Sequence, residues 1–181
     1  MPRLIALLSA LLMCACSALP VRRTQLPQPM LSPATLELEL AVSQRLRLSP
    51  RDGSRAPETL DARLEIDAEA VRLAGFAMGH RVLAVHWDGT ELTQQRAPEL
   101  PPQVDAARIL RDVLYVLAPA RALQAALPKG WQVQDSPAHR ELLHGTQPAV
   151  RIDYTASPRW AGVIVLDNIA EGYRLEIESA R

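Results

Sequence analysis

Across 181 residues, 20 basic side chains balance 20 acidic ones, which leaves no electrostatic footprint for nucleic acid and no basic surface for anionic lipid. Both cysteines, Cys14 and Cys16, lie near the start, so the rest of the chain can form no disulfide. With 48% hydrophobic residues but only three Trp, three Tyr and one Phe, stability must come from a core of Leu, Val, Ile and Ala.

The chain opens with MPRLIALLSALLMCAC, one positive charge at Arg3 followed by an apolar run too short to span a bilayer as a helix. This is the pattern of a secretory signal. The small residue Ala15 followed by Cys16 resembles the lipobox of bacterial lipoproteins, with Met13 standing where Leu is usual. The resemblance implies cleavage before Cys16, acylation of that cysteine by chains such as palmitate, and anchorage in the membrane. Cys14 is the weaker match because the bulky Met13 precedes it. Ser17 follows the cysteine in place of Asp, which in such lipoproteins implies delivery to the outer membrane, facing the periplasm. An ordinary cleaved signal with an incidental cysteine is the alternative. Removing residues 1–15 leaves 19 basic against 20 acidic side chains, because Arg3 is the only charge lost. Attachment to a membrane is then covalent rather than electrostatic.

Residues 16–34 carry Pro20, Pro27, Pro29 and Pro33 with no strict period and read as a lipidated cysteine followed by an extended tether, reaching on the order of 50 Å. Partial ordering of this segment against the domain is the alternative. From residue 35 to 181 a single domain is expected. Leu36, Leu38, Leu40, Val42, Leu46 and Leu48 share one parity, opposite Glu37, Glu39, Ser43, Arg45 and Arg47. Leu60, Ala62, Leu64 and Ile66 alternate with charged neighbours, and Leu83, Val85 and Trp87 share a face. Val150, Ile152 and Tyr154 do the same, as do Tyr173, Leu175 and Ile177. A period of two predicts strands with one dry and one wet face, and such sheets are mostly antiparallel. Turn signals fall at Pro50 to Ser54, Gly75 to His80, Asp88-Gly89, Ser136-Pro137, Gly145 to Pro148, Ser157-Pro158 and Glu171-Gly172.

In mid-chain the period changes. Val104, Ala107, Leu110, Val113, Leu114 and Leu117 recur at helical spacing, with Asp105 placed to cap the start and Pro119 to end the run. A second short helix is expected over about residues 120–127. The first helix is apolar nearly all round near Leu114, Tyr115, Val116 and Leu117, so it should be buried on more than one side. The predicted fold is α+β: a strongly curved antiparallel half-barrel of about ten strands with a mid-chain helical plug. So many strands with a single dry face must curl to cover it.

Several residues carry a further resemblance. They are Gly79 and Arg81; Asp105 and Arg108; Leu127, Pro128, Gly130 and Trp131; Arg140; Ile152 and Tyr154; Trp160, Gly162, Ile164, Leu166 and Asn168; and Gly172, Tyr173 and Leu175. In their order from Leu36 to Glu178 the chain resembles a domain-of-unknown-function family of bacterial outer-membrane lipoproteins, often encoded in gene clusters for aryl-polyene lipids. That family is similar in turn to the LolA and LolB lipoprotein carriers, half-barrels lidded by helices over an apolar cavity.

Three sets of residues are candidates for function. Phe76 and Met78 lie in an apolar turn, GFAMGH, where polar residues are expected. The resemblance to LolB implies contact with lipid or acyl chains; the competing reading continues a strand and buries both residues. Leu38, Leu40, Leu64, Ile66, Val85, Leu110, Leu114, Leu117 and Ile164 either line a ligand cavity or form an ordinary core. His139 and His144 are five apart, not four, and in a strand they face opposite ways, so no zinc helix is expected. No Gly-x-Ser-x-Gly, P-loop or dinucleotide motif occurs. The expectation is a monomeric, non-catalytic lipoprotein without cofactor or metal that binds or hands over a lipid-like or acylated molecule. The alternative is a structural adaptor docking an envelope protein.

Overall fold

The computed structural model describes residues 25–100 and 104–180. A short 3₁₀ turn, Pro33–Leu36, precedes ten strands and two helices. In chain order these are β1 (Leu40–Pro50), β2 (Glu58–Ile66), β3 (Val71–Ala77), β4 (His80–Trp87), β5 (Leu92–Arg96), α1 (Ala106–Leu117), α2 (Ala120–Ala126), β6 (Trp131–Ser136), β7 (His139–His144), β8 (Gln147–Tyr154), β9 (Val163–Asn168) and β10 (Tyr173–Ala180). One open sheet results, in the order β5-β4-β3-β2-β1-β10-β9-β8-β7-β6, with every neighbouring pair antiparallel. Two meanders meet where β1 pairs with β10, and the helices link the two edge strands, β5 and β6.

The sheet is curved, and α1 shows why it must be. Its start receives Gln94 from β5, whose Oε1 accepts from the Ala106 N–H at 3.0 Å. Its last turn is held by Arg140 from β7, donating to the Tyr115 carbonyl at 2.7 Å, and by the Tyr154 hydroxyl of β8, donating to the Val116 carbonyl at 2.9 Å. On a flat sheet β5 and β7 would stand about 38 Å apart. A helix of twelve residues is only about 18 Å long, so the sheet wraps around it. The half-barrel with a helical plug expected from the sequence is the observed architecture.

The strand periodicity holds in the first half of β1, where Leu40, Val42 and Gln44 are buried and Ala41, Ser43 and Arg45 exposed, and fades in the second, where Leu46 is half-buried and Leu48, expected on the dry face, is exposed. Asp105 caps α1 as expected, its Oδ1 accepting from the Arg108 N–H at 2.9 Å. Leu114, Tyr115, Val116 and Ala118 are all buried, in line with a helix enclosed on several sides.

The start of the domain differs from expectation. Of the segment read as a tether, residues 25–34 pack on the body, and the packed fold begins near Leu26, not at residue 35. Leu26, Leu31 and Leu36 join the main core. The Tyr115 hydroxyl donates to the Pro27 carbonyl at 2.5 Å, and Trp87 Nε1 to the Leu31 carbonyl at 2.8 Å. Leu36 and Leu38 therefore precede the first strand. The reason is local: Ser32-Pro33 starts a 3₁₀ turn, and Glu37 leaves it in a left-handed conformation with φ 51°. Burying each leucine is worth roughly 1.5–3 kcal/mol, enough to hold an extended segment without strand pairing.

Candidate functional site

The β3–β4 hairpin carries the most exposed large apolar side chain described. Strand β3 runs on through Gly75 and Phe76 to Ala77, so the turn is tighter than the stretch Gly75 to His80 suggests, and only Met78 and Gly79 form its tip. Gly75 permits this path, since a Cβ there would stand 2.9 Å from the Leu60 Cδ2. The ladder shifts register between Gly75 and Phe76, a bulge that bends the hairpin near its tip. Phe76 is half-buried beside Asp61 and Arg81. Met78 is 96% exposed and holds φ at 48°, a conformation that side chains other than Gly or Asn rarely adopt. The two residues thus part ways: Phe76 continues the strand and Met78 stands in solvent.

The nine residues of the candidate cavity converge on one core, Leu110, Leu114 and Leu117 from α1 and the other six from the sheet and the segment before it. Leu64, Ile66, Leu110, Leu114 and Ile164 are each at most 2% exposed, Leu40 and Val85 are buried, and Leu38 and Leu117 pack against them half-buried. A side chain bordering a void wide enough for an acyl chain offers area to a water-sized sphere. These buried side chains offer almost none, so in this conformation they are packed core and not the walls of a hollow. A cleft of about 180 Å³ lies elsewhere, on the outer face, lined by Arg47, Ser49, Arg174 and Glu176. Its mixed charge and shallow form do not suit an acyl group.

A buried polar cluster ties α1 to the β9–β10 turn. Arg111 grips Glu171 with two parallel bonds, Nη1 to Oε1 at 2.7 Å and Nη2 to Oε2 at 2.8 Å. The Tyr173 hydroxyl donates to Asp112 Oδ2 at 2.5 Å and accepts from Arg111 at 3.2 Å. Asn168 orders the turn, its side-chain carbonyl accepting from the Glu171 N–H at 2.9 Å. Burial pushes the Asp112 carboxyl up to about 6, against the opposing pull of Arg111 and Tyr173. Burial opposes the charge on Arg111, but Glu171 and Asp112 hold its pKa above the ordinary value.

Folded Asp112 keeps its proton up to about pH 6, whereas the unfolded residue loses it near 3.9. The folded state therefore binds more protons in that window, and its stability falls as pH rises from about 4 to 6. The expected loss is on the order of 2–3 kcal/mol. Urea unfolding at pH 4.5 and 7 checks it: the wild type should be more stable at the lower pH, and Asp112→Asn should flatten that difference. An unchanged slope in the variant would assign the effect to other groups.

Among the described residues, no three His, Cys, Asp or Glu side chains converge as metal ligands. His139 pairs with Asp153 at 2.7 Å on the exposed face, while His144 stacks on Trp131. Cys16 lies outside the described residues. Sequence reasoning gave Arg111 and Asp112 no role; it placed Trp87 and Tyr115 on buried faces and Arg140 in the family resemblance without foreseeing the bonds they make. For Arg140 a signal existed, since it shares the parity of Leu142 on β7.

Residues 41–181 match the model of a protein family described as of unknown function, DUF3261. The chain is also similar to the crystal structure of a LolA superfamily protein from Nitrosomonas europaea, at 11% identity and a TM-score of 0.40, over 82% of this chain and 89% of that one. Among curated proteins none matches.

Proposed function

The chain belongs to the DUF3261 family, whose function is unknown, and we propose, from the Ala15-Cys16 boundary in its sequence and the exposed apolar tip of its β3–β4 hairpin, that it is a lipoprotein anchored through acylated Cys16 in the outer membrane, where it accepts a lipid-like or acylated molecule at the periplasmic face. An aryl-polyene lipid is one such molecule. The observation that carries the reading is Met78, an apolar side chain held in water at the hairpin tip by an unfavourable backbone conformation. A contact with acyl chains removes that exposed surface from water.

Met78 lies at the opposite end of β4 from the contact between Trp87 and Leu31, so the hairpin tip projects away from the packed N-terminal segment and is free to meet acyl chains of a membrane or of an acylated molecule. A photoreactive diazirine residue in place of Met78 tests this in intact cells. Crosslinks to an acyl-bearing molecule support the reading, and crosslinks to neither lipid nor acylated protein refute it.

The adaptor alternative draws on β5, an edge strand whose residues after Leu92 are exposed. A dominant protein crosslink from Thr93 or Gln95, with no lipid at position 78, would favour it.

A further inference from the structure

A closed core leaves an acyl guest one way in, which is that something already packed must leave. The strands are held by their ladders. Helix α1 is held by Arg111, Arg140 and Tyr154. The segment 26–36 is held far less firmly. Residues 25–32 have no regular structure, and Pro27, Pro29 and Pro33 have no N–H to give a ladder. Among the described residues its bonds to the body are two side-chain donors on its carbonyls, the Tyr115 hydroxyl on Pro27 and Trp87 Nε1 on Leu31. Gln28 Nε2 is buried there with no hydrogen-bond partner among the described residues, a penalty that a settled core element does not carry. What the segment places in the core is mainly leucine: Leu26, Leu31 and Leu36.

We propose that residues 26–36 are a displaceable plug, and that the trough they fill beside Trp87 and Tyr115 receives a linear acyl chain. An extended ribbon of leucine side chains is most closely replaced by an aliphatic chain, which brings apolar surface and no backbone to satisfy. When the plug leaves, its carbonyls turn to water, while the buried Tyr115 hydroxyl and Trp87 N–H lose their acceptors. Both donate in this setting, so the guest supplies an acceptor oxygen. That selects an acyl ester, amide or carboxylate over an alkyl amine. The inference rests on the acyl-binding reading above and adds where the guest lies and what its head carries.

Hydrogen exchange on the full acylated chain in nanodiscs of ether-linked phosphatidylcholine, which lacks ester carbonyls, tests it. Three arms add palmitate, a synthetic diacylated lipopeptide, or ester-linked phospholipid, and so separate the sources of the acyl group. At least one should speed exchange of the amides of residues 28, 30–32 and 34–36 by tenfold or more. Leu31→Ser should exchange fast with no guest and bind the effective one at least fivefold more tightly. Tyr115→Phe, with less risk to folding, should likewise speed exchange with no guest, but without the hydroxyl that meets the guest's oxygen it should gain less affinity than Leu31→Ser. Binding that leaves these amides unchanged would overturn the plug while sparing the acyl-binding reading. No binding by the wild type or either variant would overturn both.

Discussion

Arg140→Ala is expected to lower the free energy of unfolding by about 2–4 kcal/mol, through the charge-assisted hydrogen bonds it removes and the buried carbonyl it leaves without its donor. The guanidinium is 2% exposed and joins two layers of the fold. Its Nε donates to Asp135 at 2.8 Å within the sheet, and its Nη1 donates to the Tyr115 carbonyl at the end of α1. Against burial, Arg140 and Arg159 together hold the Asp135 carboxyl below its ordinary pKa. Removing Arg140 leaves Asp135 with Arg159, 2.9 Å away, and strips the buried Tyr115 carbonyl of its side-chain donor. Arg140→Lys should recover only part of the loss, because an ammonium cannot present the planar fork that serves both partners. Urea unfolding measures both variants. Arg63→Ala, on the exposed face, is the control and should change stability by less than about 0.5 kcal/mol. A cost below about 1 kcal/mol for Arg140→Ala would mean that α1 is not fastened here.

The second large effect is on binding. Met78→Glu should weaken association with acylated molecules about 30-fold, the equivalent of roughly 2 kcal/mol for one buried methionine side chain. Stability should be unchanged, since Met78 contributes almost nothing to the core and a glutamate bears the same strain at φ 48°. Met78→Gly should relieve the strain and still lose most of the binding. Phe76→Ser should behave differently, costing about 1–2 kcal/mol of stability because Phe76 is half-buried in β3. Titration with a fluorescent acyl peptide, paired with thermal melts, separates the two residues. Equal binding by wild type and Met78→Glu would remove Met78 from the site.

These residues also show how far the sequence could be read. The strands and helices were legible because burial follows their periods: Leu40 and Val42 in β1, and Leu110 and Leu114 along α1. The tip of the β3–β4 hairpin was blurred, because Gly75 continues the inward row of Val71 and Leu73 without a side chain to mark it. The plug was hidden for a different reason. A proline-rich extended segment has no period, and its anchors Trp87 and Tyr115 lie 56 and 88 residues from the carbonyls they hold. Charged residues such as Arg111 and Asp112 carry no sign of burial in the helical period around them. Their partners Glu171 and Tyr173 reach them only once the sheet has curled, so nothing in the local pattern marks them as buried.

Native mass spectrometry of the full-length protein, released gently from its own membrane, tests acyl-guest binding most directly. Beyond the covalent acylation of Cys16, a fraction of wild-type molecules should carry one noncovalent acyl-bearing guest, and that fraction should grow in Leu31→Ser. Protein that carries only its covalent acyl groups in both forms would contradict the account.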